Sequence, residues 1–279
     1  MNPPQEFDSN RPDLRRVCVH RVISDQMPKT ADGDLVAVEA PLEIRLHGRP
    51  AAVLMRTPGN DRELVTGFLF CEGVIADARH ILAIDPVEDG DKPMGGAALD
   101  VRLDSPSRGR GIERFFYSTS SCGACGKRDI DSLAISSPAI HDQASIPISL
   151  LQSVADIARR NQPLFAVTGG THASALFGPD GALVSLMEDV GRHNALDKVV
   201  GASLEAGRIP LAGHVLAISG RVGYEIIQKA LAAGIPAIVA VGAPTGLAVE
   251  LAESGGITLA GFARAGSMNI YSHAGRISN

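Results

Sequence analysis

Residues 214–241 read HVLAISGRVGYEIIQKALAAGIPAIVAV, and this stretch decides the fold. His214 to Ile218 is a short apolar run of strand length. Tyr224 to Ala233 follows as a helix ended by Gly234, and Ala237 to Val241 is a second apolar run. The rhythm continues with a helix over Leu247 to Ser254 and a strand over Ile257 to Phe262. Strands and helices alternating at this spacing predict right-handed βαβ crossovers and a largely parallel sheet with one antiparallel strand. Upstream, Leu150 to Arg160 is an amphipathic helix. His172 to Phe177 and Ala182 to Met187 flank Gly178-Pro179-Asp180-Gly181, a hairpin signal, and Ala195 to Ala206 is a helix ended by Gly207. The unit is predicted to span residues 148–279.

The N-terminal half has a different texture. Residues 1–16 are polar without periodicity and read as a mobile arm. Apolar residues alternate loosely over Leu35 to Leu46 and Ala51 to Met55, around the turn His47-Gly48-Arg49-Pro50, which predicts a β-hairpin. Leu64, Val65, Phe68 and Leu69 recur at helical spacing between Arg62 and Phe70, and Glu72-Gly73 stops that helix. Short strands are expected over Ile81 to Ile84, Ala98 to Leu103 and Ile112 to Tyr117, then a short helix over Asp129 to Ile135. A smaller α+β domain is therefore predicted over residues 17–137, joined to the larger one by the proline-bounded linker Pro138 to Pro147.

Composition narrows the functional classes. The chain has 279 residues, 45% hydrophobic and 20% charged, as in globular proteins. A net charge of −5 argues against nucleic-acid binding driven by overall charge. The polar N-terminus has no signal-peptide pattern, and no run is long and apolar enough to span a membrane. Four cysteines are too sparse for a disulfide framework, so reduced thiols and a cytoplasmic setting are expected.

In open α/β sheets, ligands collect beyond the carboxyl ends of the strands. Those ends carry Ser219-Gly220-Arg221, Gly242-Ala243-Pro244-Thr245-Gly246 and Phe262-Ala263-Arg264-Ala265-Gly266-Ser267. The antiparallel strand feeds Glu188-Asp189-Val190-Gly191-Arg192-His193-Asn194, and Thr168-Gly169-Gly170-Thr171-His172 makes another glycine-rich corner. Glycines admit a ligand to the backbone, helix N-termini favour phosphate, and arginine forks match its oxygens. Any one arginine alone reads as a surface salt bridge. Several on one edge predict a large anionic ligand such as a nucleotide. His172 and His193 lie on the same edge, as ligand contacts or as turn caps.

Cys122 and Cys125 form a C-x-x-C pair inside residues 118–128, with Lys127 and Arg128 just beyond. Structural zinc needs further ligands at short spacing, and Cys18, Cys71 and the scattered histidines are poor partners. A redox dithiol fits the motif, but such motifs belong near the start of a compact βαβ unit. A persulfide carrier needs an accessible thiolate on a mobile loop beside an acceptor pocket, and Ser118 to Ser121 with Gly123 and Gly126 supply the loop. Cys18 and Cys71 sit among apolar neighbours and read as structural.

Several stretches together resemble the FdhD family of formate dehydrogenase accessory sulfurtransferases, in the same order from about Pro41 to Ser272. They are Met55-Arg56-Thr57-Pro58-Gly59-Asn60, Gly67-Phe68-Leu69 with Glu72-Gly73, Ser121-Cys122-Gly123-Ala124-Cys125-Gly126, the block from Glu188 to Lys198, Ser219-Gly220-Arg221 and Gly261-Phe262-Ala263-Arg264. The resemblance implies a cytosolic sulfur carrier. It would accept sulfane sulfur from a cysteine desulfurase as a Cys122 persulfide. It would then pass that sulfur to the bis(molybdopterin guanine dinucleotide) cofactor required by formate dehydrogenase.

The resemblance also implies that Phe262 to Ser267 is the cofactor-binding loop, with Arg192, Arg221 and Arg264 as phosphate contacts. Guanine nucleotides such as GDP would bind there, no cofactor would be held permanently, and the protein would be a homodimer. Cys125 would relay sulfur or tune its neighbour. The larger domain is implied to be three-layered and similar to the cytidine deaminase fold, with a mixed, mostly parallel sheet and no metal. A thiol–disulfide oxidoreductase and a non-catalytic cofactor chaperone remain as alternatives.

Overall fold

The computed structural model describes residues 11–22, 24, 29–88, 93–108, 138–141, 145–264 and 266–279. Cys122, Cys125, Ala265, the strand expected over Ile112 to Tyr117 and the helix expected over Asp129 to Ile135 lie outside them.

The chain opens with an antiparallel ribbon of β1 (Leu14–Arg21) and β2 (Lys29–Ala37). β1 crosses the boundary expected after residue 16, so Leu14 to Arg16 belong to a strand. Cys18 on β1 is exposed, contrary to its expected structural role. The alternation expected from Leu35 onward also splits. Leu35 to Ala37 finish β2, whose chain is tied back by the bond from Val38 N to Asp13 O, and the next strand starts only at Ala40.

β3 (Ala40–Leu46) and β4 (Arg49–Arg56) form the predicted hairpin. Its connection is tighter than the four residues expected. His47 and Gly48 both have positive φ, 52° and 77°, as a two-residue turn between twisted strands demands. α1 (Asp61–Cys71) carries the chain to β5 (Ile81–Pro86) and β6 (Ala97–Leu103), giving a four-stranded sheet in the order β4-β3-β6-β5. Leu64, Val65, Phe68 and Leu69 of α1 pack on Leu42, Ile44, Val101 and Leu103 of this sheet. The helical stripe read from sequence is thus the stripe that is buried.

The remaining elements are β7 (Ile146–Pro147), α2 (Ile148–Arg160), α3 (Pro163–Thr168), β8 (His172–Phe177), β9 (Leu183–Asp189), α4 (Arg192–Glu205), β10 (Val215–Ile218), α5 (Tyr224–Ala233), β11 (Ala237–Ala240), α6 (Gly246–Gly255), β12 (Thr258–Arg264), β13 (Ser267–Ser272) and β14 (Ile277–Ser278). Six strands form one mixed sheet in the order β13-β12-β11-β10-β8-β9. β10, β11 and β12 are parallel neighbours, and β8 runs against β10 and β9. The strand that feeds Glu188 to Asn194, β9, therefore runs with β10 to β12 and is not the reversed strand expected; β8 is, and β13, which pairs antiparallel with β12, is a second. The sequence reading stopped at Phe262 because β13 alternates exposed and half-buried residues, unlike the wholly buried β10 and β11.

Helices cover both faces. Val199 of α4, Ile226 and Ile227 of α5 and Ala252 of α6 pack on Leu216, Ile238 and Leu259. On the opposite face Leu151, Val154 and Ala158 of α2 meet Phe177, Val215, Val239 and Ala260. The result is three layers.

The two sheets meet through α1 and α4, which touch backbone to backbone. A Cβ placed on Gly67 would lie 1.9 Å from Asp197 O, and one on Gly201 would lie 1.9 Å from Glu63 O. No side chain fits at either position.

Candidate functional site at one edge of the large sheet

The carboxyl ends of β9, β10, β11 and β12 lie at one edge, together with the start of β8 and, through the β12–β13 turn, the start of β13. That topology brings His172, Arg192, His193, Arg221 and the loop from Phe262 to Ser267 to a single border. α4, α5 and α6 all begin there. Gly191 and Gly223 cap the first two without a side-chain bond, whereas Thr245 caps the third by accepting from Ala248 N. Two long helices thus present uncapped N–H groups to whatever binds at the edge.

The floor between these groups is main chain. Gly242 N donates to Gly220 O at 3.1 Å, and Phe262 N donates to Gly242 O at 3.2 Å. Val222 N bonds Ala243 O, and Thr245 N returns to Val222 O at 3.0 Å. The glycines are steric necessities here. A Cβ on Gly242 would meet Gly220 O at 2.7 Å, and one on Gly261 would meet Pro244 Cδ at 2.9 Å.

His172 opens β8, between β9 and β10 on the border. Its ring lies against Gly220, where an added Cβ would come within 3.2 Å of Cε1 and Nδ1. Burial lowers its pKa, and Arg192, His193 and Arg221 lower it further against the opposing pull of Asp189. His172 is therefore held neutral in a cationic neighbourhood. Arg192 is half-buried, while Arg221 and Arg264 are exposed. None of these arginines forms a salt bridge with a carboxylate among the described residues. His193 Nε2 lies 2.9 Å from Glu225 Oε2, but not in hydrogen-bonding geometry, and is a buried nitrogen without a hydrogen-bond partner among the described residues.

The end of β12 is strained where it turns outward. Phe262 has φ 56° and is 44% exposed. A bulky residue in the left-handed region is an outlier, and it coincides with a register shift between Gly261 and Arg264. Ser267 Oγ donates to Arg264 O at 3.0 Å, and Gln152 Nε2 donates to Gly266 O at 2.9 Å, which ties the turn to α2. Ala263 points into the core under α2, so only its backbone is available at the loop.

The block from Glu188 to Lys198 divides into two jobs. Glu188 accepts from Leu164 N at 2.9 Å and Phe165 N at 2.7 Å, satisfying the start of α3. Asp189, wholly buried, accepts from Thr57 N at 3.1 Å and Gly191 N at 2.8 Å and pairs with Lys198 Nζ at 2.8 Å. Lys198 Nζ also donates to Thr57 O at 3.1 Å and Glu188 O at 3.3 Å, and Asn194 Nδ2 donates to Met55 O at 2.7 Å. One turn along α4, Asp197 holds Lys229 of α5 at 2.7 and 2.8 Å.

These groups clamp the Met55–Asn60 loop and α5 onto α4. Arg192 and His193 are left to face the edge. Sequence reasoning missed the clamp, whose Met55 and Thr57 partners lie more than 130 positions away from it. A cavity of about 350 Å³ lies beside it, lined by Asn60, Asn161, Pro163, Leu164, Met187 and Lys198 among others.

These features define an α/β protein whose mixed sheet carries a cationic, glycine-floored edge. The FdhD/NarQ family model matches residues 37–278. This chain belongs to that family. It is 47% identical over 256 residues to the sulfur carrier protein FdhD of Mycobacterium tuberculosis, covering 88% of this chain and 92% of the relative. To the protein of that name from Sulfolobus acidocaldarius it is 42% identical over 265 residues, 95% of this chain and 98% of the relative. The structure is similar to that of a proposed formate dehydrogenase accessory protein from Desulfotalea psychrophila, with TM-score 0.72 and 27% identity, covering 95% of this chain and 98% of that one.

Proposed function

We propose that this chain is a sulfur carrier acting in the maturation of formate dehydrogenase, in the cytoplasm and as a homodimer. In the loading step the Cys122 thiolate attacks the outer sulfur of a desulfurase persulfide. One sulfur–sulfur bond forms, the desulfurase cysteine leaves as its thiolate, and no electrons are gained or lost. In the delivery step the Cys125 thiolate attacks Cys122 Sγ; the Cys122–Cys125 disulfide that forms supplies two electrons, the Sγ–sulfur bond breaks, and the sulfur leaves at the sulfide level to the molybdenum cofactor, bis(molybdopterin guanine dinucleotide), seated as substrate on the sheet edge. Cys125 serves as the neighbouring thiol of the pair.

On this edge Arg192, Arg221 and Arg264 meet the guanine-nucleotide phosphates, His172 and His193 flank them, and Phe262 to Ser267 close over the nucleotide. Phosphate oxygens suit arginines that lack carboxylate partners, and the uncapped starts of α4 and α5 add N–H donors. The likeness of the larger unit to the cytidine deaminase fold belongs to the same reading. The observation that carries it is this cluster of arginines, without carboxylate partners among the described residues, around a histidine of lowered pKa, in a chain belonging to the FdhD/NarQ family.

The test is intact-mass measurement after treatment with desulfurase and cysteine. Wild type and Cys125→Ala should each gain the mass of one sulfur, and Cys122→Ala should gain none. A Cys122→Ala protein that still takes up sulfur would remove Cys122 from its assigned role.

A further inference from the structure

β9 is an outer strand of the large sheet, with β8 on one side and no strand on the other. Hydrogen bonding at Ala173 fixes which main-chain groups lie on the open side. Ala173 O accepts from Ser219 N at 3.0 Å, and Ala173 N donates to Ser219 Oγ at 2.8 Å, so both groups point toward β10. Ala173 is the partner of Glu188 across β8 and β9, and Ala175 is the partner of Leu186. In an antiparallel ladder, bonded and non-bonded pairs alternate, so Glu188 and Leu186 turn their N–H and C=O groups outward. Two neighbours agree with this phase. Val190 N donates to Thr57 Oγ1 at 3.1 Å, and Glu188 O accepts from Lys198 Nζ at 3.3 Å. Leu186 N, Leu186 O and Glu188 N have no hydrogen-bond partner among the described residues.

The open side borders the cavity of about 350 Å³ beside the clamp, where Leu183, Leu186, Met187 and Glu188 of β9 join Pro58 and Leu164 in the lining. A row of unpaired main-chain groups beside apolar side chains suits an extended polypeptide: the edge offers ladder bonds to its backbone, and the cavity seats alternate side chains. We propose that this groove seats residues 1–10 of the same chain, added to β9 as a seventh strand. Arg11 and Asp13 line the cavity, so the described chain begins at its wall.

The entry point sets the direction. Leu14 pairs with Ala37, whose Cβ lies 3.7 Å from where a Cβ on Gly170 would stand, just ahead of β8. His172 at the start of β8 pairs with Asp189 at the end of β9. The segment therefore enters beside the end of β9, and from residue 10 back to residue 1 it extends toward Leu183. That makes the added strand parallel to β9. At about 3.3 Å per residue, Gln5 to Asn10 match Leu183 to Glu188. Phe7, the aromatic residue of the segment, then falls midway along the cavity. Pro3 and Pro4, which cannot donate to a ladder, fall beyond it. The family match covers residues 37–278, so the seat lies inside it and the occupant outside. A short tether keeps such a segment at millimolar effective concentration, which a competing peptide has to exceed.

The experiment follows amide hydrogen exchange at Leu186 and Glu188 by NMR in the full chain, in Phe7→Ala and in a variant lacking residues 1–10. Both amides should exchange at least about a hundredfold more slowly in the full chain than in the shortened variant, with Phe7→Ala between them. A synthetic peptide of residues 1–10 at millimolar concentration should restore slow exchange to the shortened variant. Amides of the wholly buried β10 are the standard for the fold and should be alike in all three proteins. Fast exchange at Leu186 and Glu188 in the full chain, or equal protection with and without residues 1–10, would overturn the proposal. Protection that rises with protein concentration would assign the edge to a second copy, and overturn it as well. Should shortening disturb β10, Phe7→Ala in the full chain decides, and unchanged protection there counts against the seat.

Discussion

At the scale of single residues, His172 and Phe262 are the positions where the fold accepts a cost. Burial and neighbouring cations lower the His172 pKa, so between its folded and unfolded values the unfolded chain binds more protons. Its contribution to stability is therefore complete above the ordinary histidine value and falls as pH drops below it. A phosphate at the edge reverses that local charge balance. GDP binding should take up a proton and tighten as pH is lowered from 7 toward 6, and His172→Gln should flatten that dependence. Calorimetry in buffers of different ionisation enthalpy measures the uptake directly.

Phe262 is the second such position. Its left-handed backbone costs on the order of 1–2 kcal/mol for a residue with a Cβ. Phe262→Gly should therefore keep or raise stability by denaturant titration, yet weaken nucleotide binding if the ring is a contact. A variant that loses stability instead would mean that the ring packs more than its 44% exposure suggests.

At the scale of elements, α1 and α4 act as one object. Gly67 and Gly201 leave no room for a methyl group, so Gly67→Ala or Gly201→Ala must push the helices apart. Overpacking against backbone is expected to cost about 3 kcal/mol or more, read as a shift in urea midpoint. Gly48→Ala has open space but a positive φ, so it should lose only about 1 kcal/mol. Breaking the Asp197–Lys229 pair with Asp197→Asn leaves buried Lys229 with only the more distant Glu72 carboxylate, at 4.0 Å, and should cost about 3 kcal/mol.

Much of this level was legible in the sequence, because periodicity reports burial. α1, α2, α5 and the β8–β9 hairpin fall within a residue or two of their expected positions. What stayed hidden was held by remote partners. β1 and β2 lean on each other, and β13 is an edge strand with a half-exposed pattern. The C-terminal pair Ile277–Ser278 is a strand only because Ile146–Pro147 lies alongside it. The edge itself could be read from the carboxyl ends of its strands. The Asp197–Lys229 pair could not, since its members meet only once α4 packs on α5.

At the scale of the whole molecule, the block from Glu188 to Lys198 is where the two sheets become interdependent. Lys229 shows how closely. Burial alone would lower its pKa, yet Asp197, Cys71 and Glu72 hold it above the ordinary lysine value, and Glu72 and Cys71 close α1. The same setting pushes the Cys71 thiol up, chiefly through burial, so this cysteine should stay unmodified by alkylating reagents in the native state while exposed Cys18 reacts. A network shared this way predicts one cooperative transition. Amides of β6 and β11 should exchange with the same global opening energy, and a lower value for β6 would show that the smaller sheet opens alone.

The main-chain floor under the edge has a consequence for how such a protein can change. Gly220, Gly242 and Phe262 are joined through carbonyl and amide groups, and Gly242 and Gly261 have no room for a side chain. The platform is thus indifferent to what stands around it and unforgiving of anything placed within it. Drift in ligand preference has only the rim to work with: Arg192, Arg221, Arg264 and Phe262 can be exchanged without rebuilding the surface beneath them. A new tenant needs new furniture, while the floor stays as it was laid.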